Sequence, residues 1–115
     1  MDYIRVGDYQ SADADTDGYV DFHMDPLDEF WKTFSNYYVG EEGIYESEGG
    51  REIFPQLYVT VYEYGEFVRV EYGDIDHDDY RTYDMTDKES APWIEEAKKV
   101  YWDEYGKSYP THRPS

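Results

Sequence analysis

The alternation of apolar and polar residues is most regular between Gln56 and Tyr72. In the first part of this stretch, an aliphatic face made of Leu57, Val59 and Val61 alternates with a face made of Tyr58, Thr60, Tyr62 and Tyr64. After Gly65, an apolar face made of Val68, Val70 and Tyr72 alternates with Phe67, Arg69 and Glu71. A period of two is typical of a half-buried strand, and glycine adopts the positive φ of a tight turn without steric cost. The pattern predicts a β-hairpin that turns at Gly65, in the middle of an antiparallel sheet.

A helical period of apolar residues follows the dipeptide Asp25-Pro26. Aspartate is a favoured N-cap, and proline fits the first helical position, where its missing N–H would have no partner anyway. The apolar positions at spacings i, i+3, i+4 and i+7 are Leu27, Phe30, Trp31 and Phe34. Gly40 is a suitable end signal. These features predict an amphipathic helix over residues 26–38.

A second helix is predicted over residues 92–105. Ser90 is a suitable N-cap, and Pro92 fits the start of the helix. One side of the helix carries Trp93, Ala97, Val100 and Tyr101, and Gly106 follows its end. The remaining residues, 107–115, contain two prolines and are predicted to be a frayed tail.

Three shorter alternating segments predict further strands, at Tyr3–Val6, Tyr19–His23 and Tyr80–Met85. An acidic, turn-forming segment joins the first two, and residues 41–50 are predicted to be a Gly-rich loop around a weak strand. Together the elements predict one α+β domain over residues 1–115, with an antiparallel sheet of about four to six strands and two helices.

The net charge of the chain is unusual for a domain of this kind. Aspartate and glutamate total 28 against 10 lysines and arginines, which gives a formal net charge of −18. Such self-repulsion destabilises a compact chain. However, 20% of the residues are aromatic, including 15 tyrosines, whereas disordered acidic tails are poor in aromatic residues. We therefore expect a folded protein whose acidity serves a purpose other than stability.

Several classes of partner and location are disfavoured by composition. Direct nucleic-acid binding and binding to anionic membranes both need clustered basic residues, and here these are scattered. The chain has no cysteine, so it has no disulfide or thiolate metal site. No apolar run approaches the roughly 18–20 residues of a membrane helix, and the N-terminal residues do not resemble a signal peptide. We expect a cytoplasmic protein, in the host cell if a phage encodes it, whose partner is basic.

One acidic segment looks like the beginning of an EF-hand calcium loop, D-x-D-x-D-G-x-[apolar]-D. Its candidate ligands are the carboxylates and one carbonyl of Asp13, Asp15, Asp17, Tyr19 and Asp21. Two features depart from the family pattern. The last ligand position is occupied by Met24 where a bidentate acid is needed, and the preceding segment is predicted to be a strand instead of a helix. The alternatives are a calcium site and an acidic turn without a specific metal.

Nothing in the sequence indicates an enzyme. There is no G-x-S-x-G, phosphate-binding or H-E-x-x-H motif, and the three histidines are far apart. No pair of carboxylates can be selected for acid–base work among 28. The prediction is a non-enzymatic protein with no cofactor other than the possible calcium.

The tyrosines of the central hairpin have two interpretations. Tyr58, Tyr62 and Tyr64 fall on the face opposite the aliphatic residues, close in sequence to Glu63, Glu66 and Glu71. Aromatic residues among charges are typical of interface hot spots. Alternatively, a helix packs on that face and the tyrosines belong to a second layer of core.

The leading functional hypothesis is that the protein mimics DNA. In an extended strand, alternate side chains lie ~6.6–6.8 Å apart, so a row such as Asp13/Asp15/Asp17 or Asp74/Asp76/Asp78 would hold carboxylates in a regular line. Such rows can engage the lysines and arginines that bind phosphates. The predicted partner-binding surface consists of Asp13, Asp15, Asp17, Asp21, Tyr58, Tyr62, Glu63, Tyr64, Glu66, Glu71, Asp74, Asp76, Asp78 and Asp79.

In size, acidity and aromatic content the chain resembles the DNA-mimicking anti-restriction and anti-CRISPR proteins of phages and plasmids. Its opening order is similar to one plasmid anti-restriction family over about 35 residues: a Tyr-bearing strand, the pair Asp8-Tyr9, a strand opening at Gly18-Tyr19, and an acidic amphipathic helix. The resemblance implies inhibition of a host defence protein and assigns no functional residue. Three alternatives remain: a calcium-binding module, an immunity protein against a basic toxin, and a domain adapted to high salt.

Overall fold

Five strands pair in chain order into one antiparallel sheet. The computed structural model describes residues 4–25 and 56–113. The strands are β1 (Tyr9–Ala14), β2 (Val20–Met24), β3 (Gln56–Val61), β4 (Val68–Asp74) and β5 (Asp79–Asp84), and the α-helix of the described part is α1 (Asp87–Tyr105). The predicted α+β class with an antiparallel sheet is confirmed.

The central hairpin has the predicted position and faces. Strand β3 is the middle strand of the sheet, and it pairs with β4 from Gln56 opposite Gly73 to Val61 opposite Val68. The turn between them contains a short 3-10 segment, Glu63–Gly65, in which both Tyr64 (φ 59°) and Gly65 (φ 68°) have positive φ. The sequence indicated the glycine of this turn but not the left-handed tyrosine before it.

The first hairpin is shifted relative to its prediction. Residues Ile4 to Val6 are not in a strand, and the acidic segment that was expected to connect two strands supplies most of β1. Asp13 pairs with Asp21 across the hairpin. The prediction failed here because two of the three β1 residues that pack against the core are Ala12 and Ala14, which give too weak an apolar signal between the aspartates. The fifth strand was predicted one residue late, because Met85 continues the apolar pattern beyond the strand end.

Helix α1 begins five residues before its predicted start. Thr86 is the N-cap, and it forms a capping box in which its hydroxyl accepts from the Glu89 N–H while the Glu89 carboxylate accepts from the Thr86 N–H. Ser90, the predicted N-cap, is buried in the first turns, and Pro92 lies inside the helix. The predicted end at Gly106 is confirmed by its positive φ of 66°.

The core lies between α1 and one face of the sheet. The strands contribute the buried side chains of Val20, Phe22, Leu57, Val59, Val61, Val68 and Val70. The helix contributes Trp93, Ala97 and Tyr101, and the Trp93 ring meets Phe22 edge-on at 5.1 Å between centroids. Removal of this apolar surface from water is the main stabilising contribution to the fold.

The segment after the helix is attached to the hairpin turns, so the prediction of a frayed tail does not hold between Tyr109 and Arg113. Tyr109 is buried, and its hydroxyl donates to the Gly18 carbonyl. Farther along, Arg113 Nε lies 2.7 Å from Glu66 Oε1. This segment therefore joins the first hairpin to the second.

The predicted helix over 26–38, the loop over 41–50 and residues 51–55 lie outside the described residues. Within the described ranges, no helix combines the length and apolar character needed to cross a membrane.

Candidate partner-binding surface

The sheet face opposite α1 carries polar and aromatic side chains in rows that cross the strands. The register aligns Asp13, Asp21, Thr60, Arg69 and Asp84 in one row, and Ser11, His23, Tyr58, Glu71 and Thr82 in the next. A third, shorter row at the hairpin-turn end contains Tyr19, Tyr62 and Phe67. We call these residues together the polar face. The described helix lies on the opposite side of the sheet.

Thr60 and Asp21 form the centre of the polar face. Thr60 is only 2% exposed, and its hydroxyl donates to Asp21 Oδ1 at 2.9 Å. Burial raises the pKa of Asp21, although this hydrogen bond and nearby His23 act in the opposite direction. His23 Nε2 lies 3.8 Å from Asp21 Oδ2 and 3.2 Å from Asp13 Oδ2. Burial therefore disfavours the charged form of the Asp21 carboxyl, and its hydrogen bond and His23 offset part of this effect.

Glu71 is a second partly buried carboxylate of the polar face. Burial is the largest cause that raises its pKa, and the negative charge of Asp21 raises it further. The Arg69 guanidinium and a hydrogen bond from Tyr62 offset part of this shift. Two partly desolvated carboxylates thus lie on one surface and repel each other.

An aromatic border flanks these carboxylates. Tyr62 and Phe67 stack with centroids 4.1 Å apart, and Tyr19 meets Tyr62 edge-on at 5.4 Å. Arg69 lies over both stacked rings, with its guanidinium carbon 5.4 Å from the Tyr62 centroid and 5.2 Å from that of Phe67. Burial, followed by the charge of Asp21, raises the pKa of Tyr19 to about 12.

Arg69 is held by Asp84 as well as by the rings. Its Nε lies 2.6 Å from Asp84 Oδ1 and its Nη2 lies 3.3 Å from Asp84 Oδ2. This two-point contact lowers the pKa of Asp84. A guanidinium bound by a carboxylate and two ring faces combines the two strongest contacts available to arginine.

The tyrosine stripe predicted for β3 is divided by the structure. Tyr58 lies on the polar face, where its ring meets His23 edge-on at 4.7 Å, and Tyr62 belongs to the aromatic border. Tyr64 leaves the stripe because it lies in the turn, where Arg113 is 5.6 Å from its ring centroid. The alternation predicted the first two positions correctly and failed where the strand ended.

The other predicted partner-binding residues lie at two opposite ends of the sheet. One end contains Asp15, Asp17, Glu63 and Glu66, in the turns of the two hairpins. These turns are joined by a hydrogen bond from the Tyr64 N–H to the Asp17 carbonyl, at 3.0 Å. The opposite end contains Asp74, Asp76, Asp78 and Asp79. The predicted surface is therefore three acidic regions, with the polar face between two ends.

Neither of the predicted straight rows of aspartates is extended throughout. In the first row, β1 ends at Ala14 and the chain turns between Asp15 and Gly18, where the Gly18 N–H donates to the Asp15 carbonyl at 3.0 Å. In the second row, Asp76 lies in a 3-10 turn and Asp78 has a positive φ of 55°. The regular carboxylate spacing of a strand is therefore absent from both rows.

The calcium-loop pattern forms the turn of the first hairpin. Asp13 and Asp21 are on paired strands, and Asp15, Asp17 and Tyr19 lie in the turn between them. In the described ranges, no three histidine, aspartate or glutamate side chains are grouped so that they could hold a metal ion. A calcium site here stays a prediction.

Gly18 has a structural role in this turn. It has a φ of 88°, and a Cβ at this position would come within 3.0 Å of the Tyr109 ring. Glycine is therefore required both by the backbone conformation and by the close approach of the tail.

Seven members of the polar face were missed as site residues: Ser11, His23, Thr60, Phe67, Arg69, Thr82 and Asp84. Their alternation with apolar residues indicated the correct face of each strand, but the residues that they contact lie on other strands. No protein-family model, curated protein or solved structure matches this chain.

Proposed function

We propose that this protein is a non-enzymatic inhibitor that mimics the charge of DNA and occludes the nucleic-acid-binding cleft of a host defence protein of the restriction or CRISPR type. The inhibitor acts in the host cytoplasm and has a basic protein as its partner. It acts by non-covalent binding through its surface, and no covalent bond is made or broken.

The observation that carries the proposal is the excess of carboxylates on the polar face. This face contains a single arginine, and that arginine is already bound to Asp84. Asp21 and Glu71 remain partly buried with raised pKa values, so a cation from outside would relieve their repulsion. A cleft lined with lysine and arginine for phosphates offers such cations.

The two acidic ends support the same conclusion through longer-range electrostatics. They extend the negative potential beyond the face and would guide a basic partner toward it, with association that slows as salt rises. The formal charge of −18 on 13.8 kDa is consistent with this role.

The proposal is tested by capture from lysate of the natural host, identification of the bound protein, and competition against labelled duplex DNA. We expect the captured protein to bind DNA, and we expect the inhibitor to displace that DNA with an affinity that falls steeply between about 0.05 and 0.2 M NaCl. A captured protein that binds DNA and this protein simultaneously would contradict the proposal.

A further inference from the structure

We infer that the polar face is the docking centre for an arginine-bearing segment of the basic partner, and that the two acidic ends form its rim. The inference rests on the proposed function and adds to it the contact surface and the side chain that is recognised.

The polar face already binds one guanidinium, that of Arg69. This side chain combines a two-point contact with Asp84 and close approach to the rings of Tyr62 and Phe67. The protein itself therefore demonstrates that a carboxylate beside an aromatic ring holds an arginine on this surface.

Among the described residues, the same combination recurs next to this pair with no arginine bound to it as Arg69 is bound to Asp84. Tyr58 is directly opposite Glu71 in the register, and Asp21 lies beside Thr60 on the neighbouring row. The Tyr58 ring is half-buried, and Asp21 retains 28% side-chain exposure. An incoming guanidinium can contact the ring and both carboxylates at once, which a lysine ammonium would do less well because it lacks a flat face.

Partial burial makes this region a better docking centre than the ends. A charge pair formed in a partly desolvated setting is screened less by water and salt than a pair formed in a fully solvated turn. Within the polar face the exposed carboxylate of Asp13 on edge strand β1, with a side chain 84% exposed, acts mainly on the association rate.

The dimensions of the face set the size of the contact. Five strands about 4.8 Å apart and about 20 Å long cover roughly 400 Å², about half of what one partner contributes to a typical interface. A complete interface must therefore extend beyond the face. The acidic turns at its two ends provide the adjoining area, and the exposed carboxylates there, such as those of Asp15 and Asp76, suit a polar rim.

The test compares two double variants that each remove two negative charges. The face variant is Asp21→Asn with Glu71→Gln, which keeps the shape of both side chains and the acceptor for Thr60. The control variant is Asp103→Asn with Glu104→Gln, at exposed positions on α1 away from the polar face. The probe is octa-arginine, titrated into each protein in about 0.05 M NaCl, with octa-lysine as a second probe.

We expect the face variant to bind octa-arginine about tenfold more weakly than the parent and the control variant to lose about twofold or less. We also expect the parent to prefer octa-arginine to octa-lysine, and Tyr58→Leu to remove most of that preference. Equal weakening by the two double variants, or no binding of octa-arginine to the parent, would overturn the inference. Thermal unfolding of each variant establishes that it is folded.

The outcome is separable from that of the proposed function. If both double variants weaken binding equally while the captured partner is still displaced from DNA, the docking centre is wrong and the proposed function stands. If the captured partner does not bind DNA while octa-arginine still requires the polar face, the proposed function is wrong and the recognition of arginine stands.

Discussion

The two faces of the sheet are made of alternating residues of the same strands, but burial has a different effect on each face. Val59 and Thr60 are adjacent in β3 and almost fully buried, at 0% and 2% exposure. Val59 packs in the core beneath α1, whereas Thr60 donates a hydrogen bond to a carboxylate whose pKa is raised by burial. On the face packed against α1, burial removes apolar surface from water. On the polar face, burial removes water from a negatively charged group.

The comparison indicates how a chain with such an excess of negative charge can fold. The face of the sheet that α1 covers, which we call the covered face, is composed of aliphatic and aromatic side chains and provides most of the stabilisation. The polar face carries unfavourable electrostatics that a folded protein of this size can tolerate, provided that the covered face is intact. The apolar core and the carboxylates of the polar face thus lie on opposite faces of one sheet.

The largest expected difference between the faces comes from two adjacent residues of β2. Phe22→Ala removes a fully buried ring that packs against Trp93, and we expect a loss of about 3–5 kcal/mol in the free energy of unfolding. His23→Ala on the polar face should cost less than about 1 kcal/mol, because its side chain is 35% exposed. Urea denaturation of both variants measures the difference. Similar losses would mean that the polar face contributes to the core.

A smaller effect is expected at the turn that the tail packs against. Gly18→Ala combines a left-handed backbone with a Cβ that would lie 3.0 Å from the Tyr109 ring, and we expect a loss of about 2–3 kcal/mol. Gly7→Ala is the matched control, because Gly7 has a φ of 103° but nothing within 4 Å of the added Cβ. Its expected cost of about 1–2 kcal/mol isolates the backbone contribution. If thermal unfolding shows equal losses of stability for Gly18→Ala and Gly7→Ala, the contact with Tyr109 does not contribute to the effect.

The sequence predicted the covered face better than it predicted the polar face. The aliphatic alternation of β3 and β4 gave the hairpin and its buried residues, since a period of two is a local property. The helix start was predictable as well, because Thr86 and Glu89 have the spacing of a capping box, but Pro92 favoured a later start. First-strand residues such as Ala12 were missed because small apolar residues give little signal.

The polar face depends on contacts between residues that are distant in sequence. Thr60 donates to Asp21, and Arg69 stacks on a ring at the far side of a hairpin turn. Neither contact follows from spacing along the chain, because each requires the order and the register of the strands. The sequence therefore indicated which residue types were available but not which of them would meet.

A third prediction uses the raised pKa values of the polar face. A carboxylate whose pKa is higher in the folded state than in the unfolded state contributes stability below the unfolded pKa, and this contribution is lost as pH rises through the folded pKa. For Asp21 and Glu71 the ordinary values are 3.8 and 4.5. Asp21→Asn and Glu71→Gln should therefore each stabilise the protein at pH 7, by about 0.2–1 kcal/mol.

The stabilisation should shrink as pH falls toward the ordinary carboxyl range, because the parent side chains become neutral there. Unfolding at pH 7 and at about pH 4 measures the change. Asp84→Asn provides the opposite case, since contact with Arg69 lowers the pKa of Asp84 and its contribution is lost as pH falls. A stabilisation by Asp21→Asn that does not vary with pH would have a cause other than charge.

The smallest effect at neutral pH is expected from Tyr19→Phe. Burial raises the pKa of both Tyr19 and Tyr109 from 10.0 to about 12. Each protonated hydroxyl therefore makes its full contribution to the free energy of unfolding below pH 10, and this contribution is lost as pH rises through 12. In an alkaline titration of tyrosinate absorbance, each Phe variant should therefore remove one late-titrating group.

The two tyrosines differ in what their hydroxyls do below pH 10. The hydroxyl of Tyr109 donates to the Gly18 carbonyl, so Tyr109→Phe should lose about 1 kcal/mol at pH 7. The hydroxyl of Tyr19 shares a hydrogen bond with that of Thr60, and Tyr19→Phe should lose less because Thr60 keeps its bond to Asp21. Above pH 10 the Tyr19→Phe variant should unfold less readily than the parent, because it has no phenol to ionise beside Asp21. If Tyr19 instead titrates with the exposed tyrosines, the aromatic border is open to water and cannot shield an incoming guanidinium.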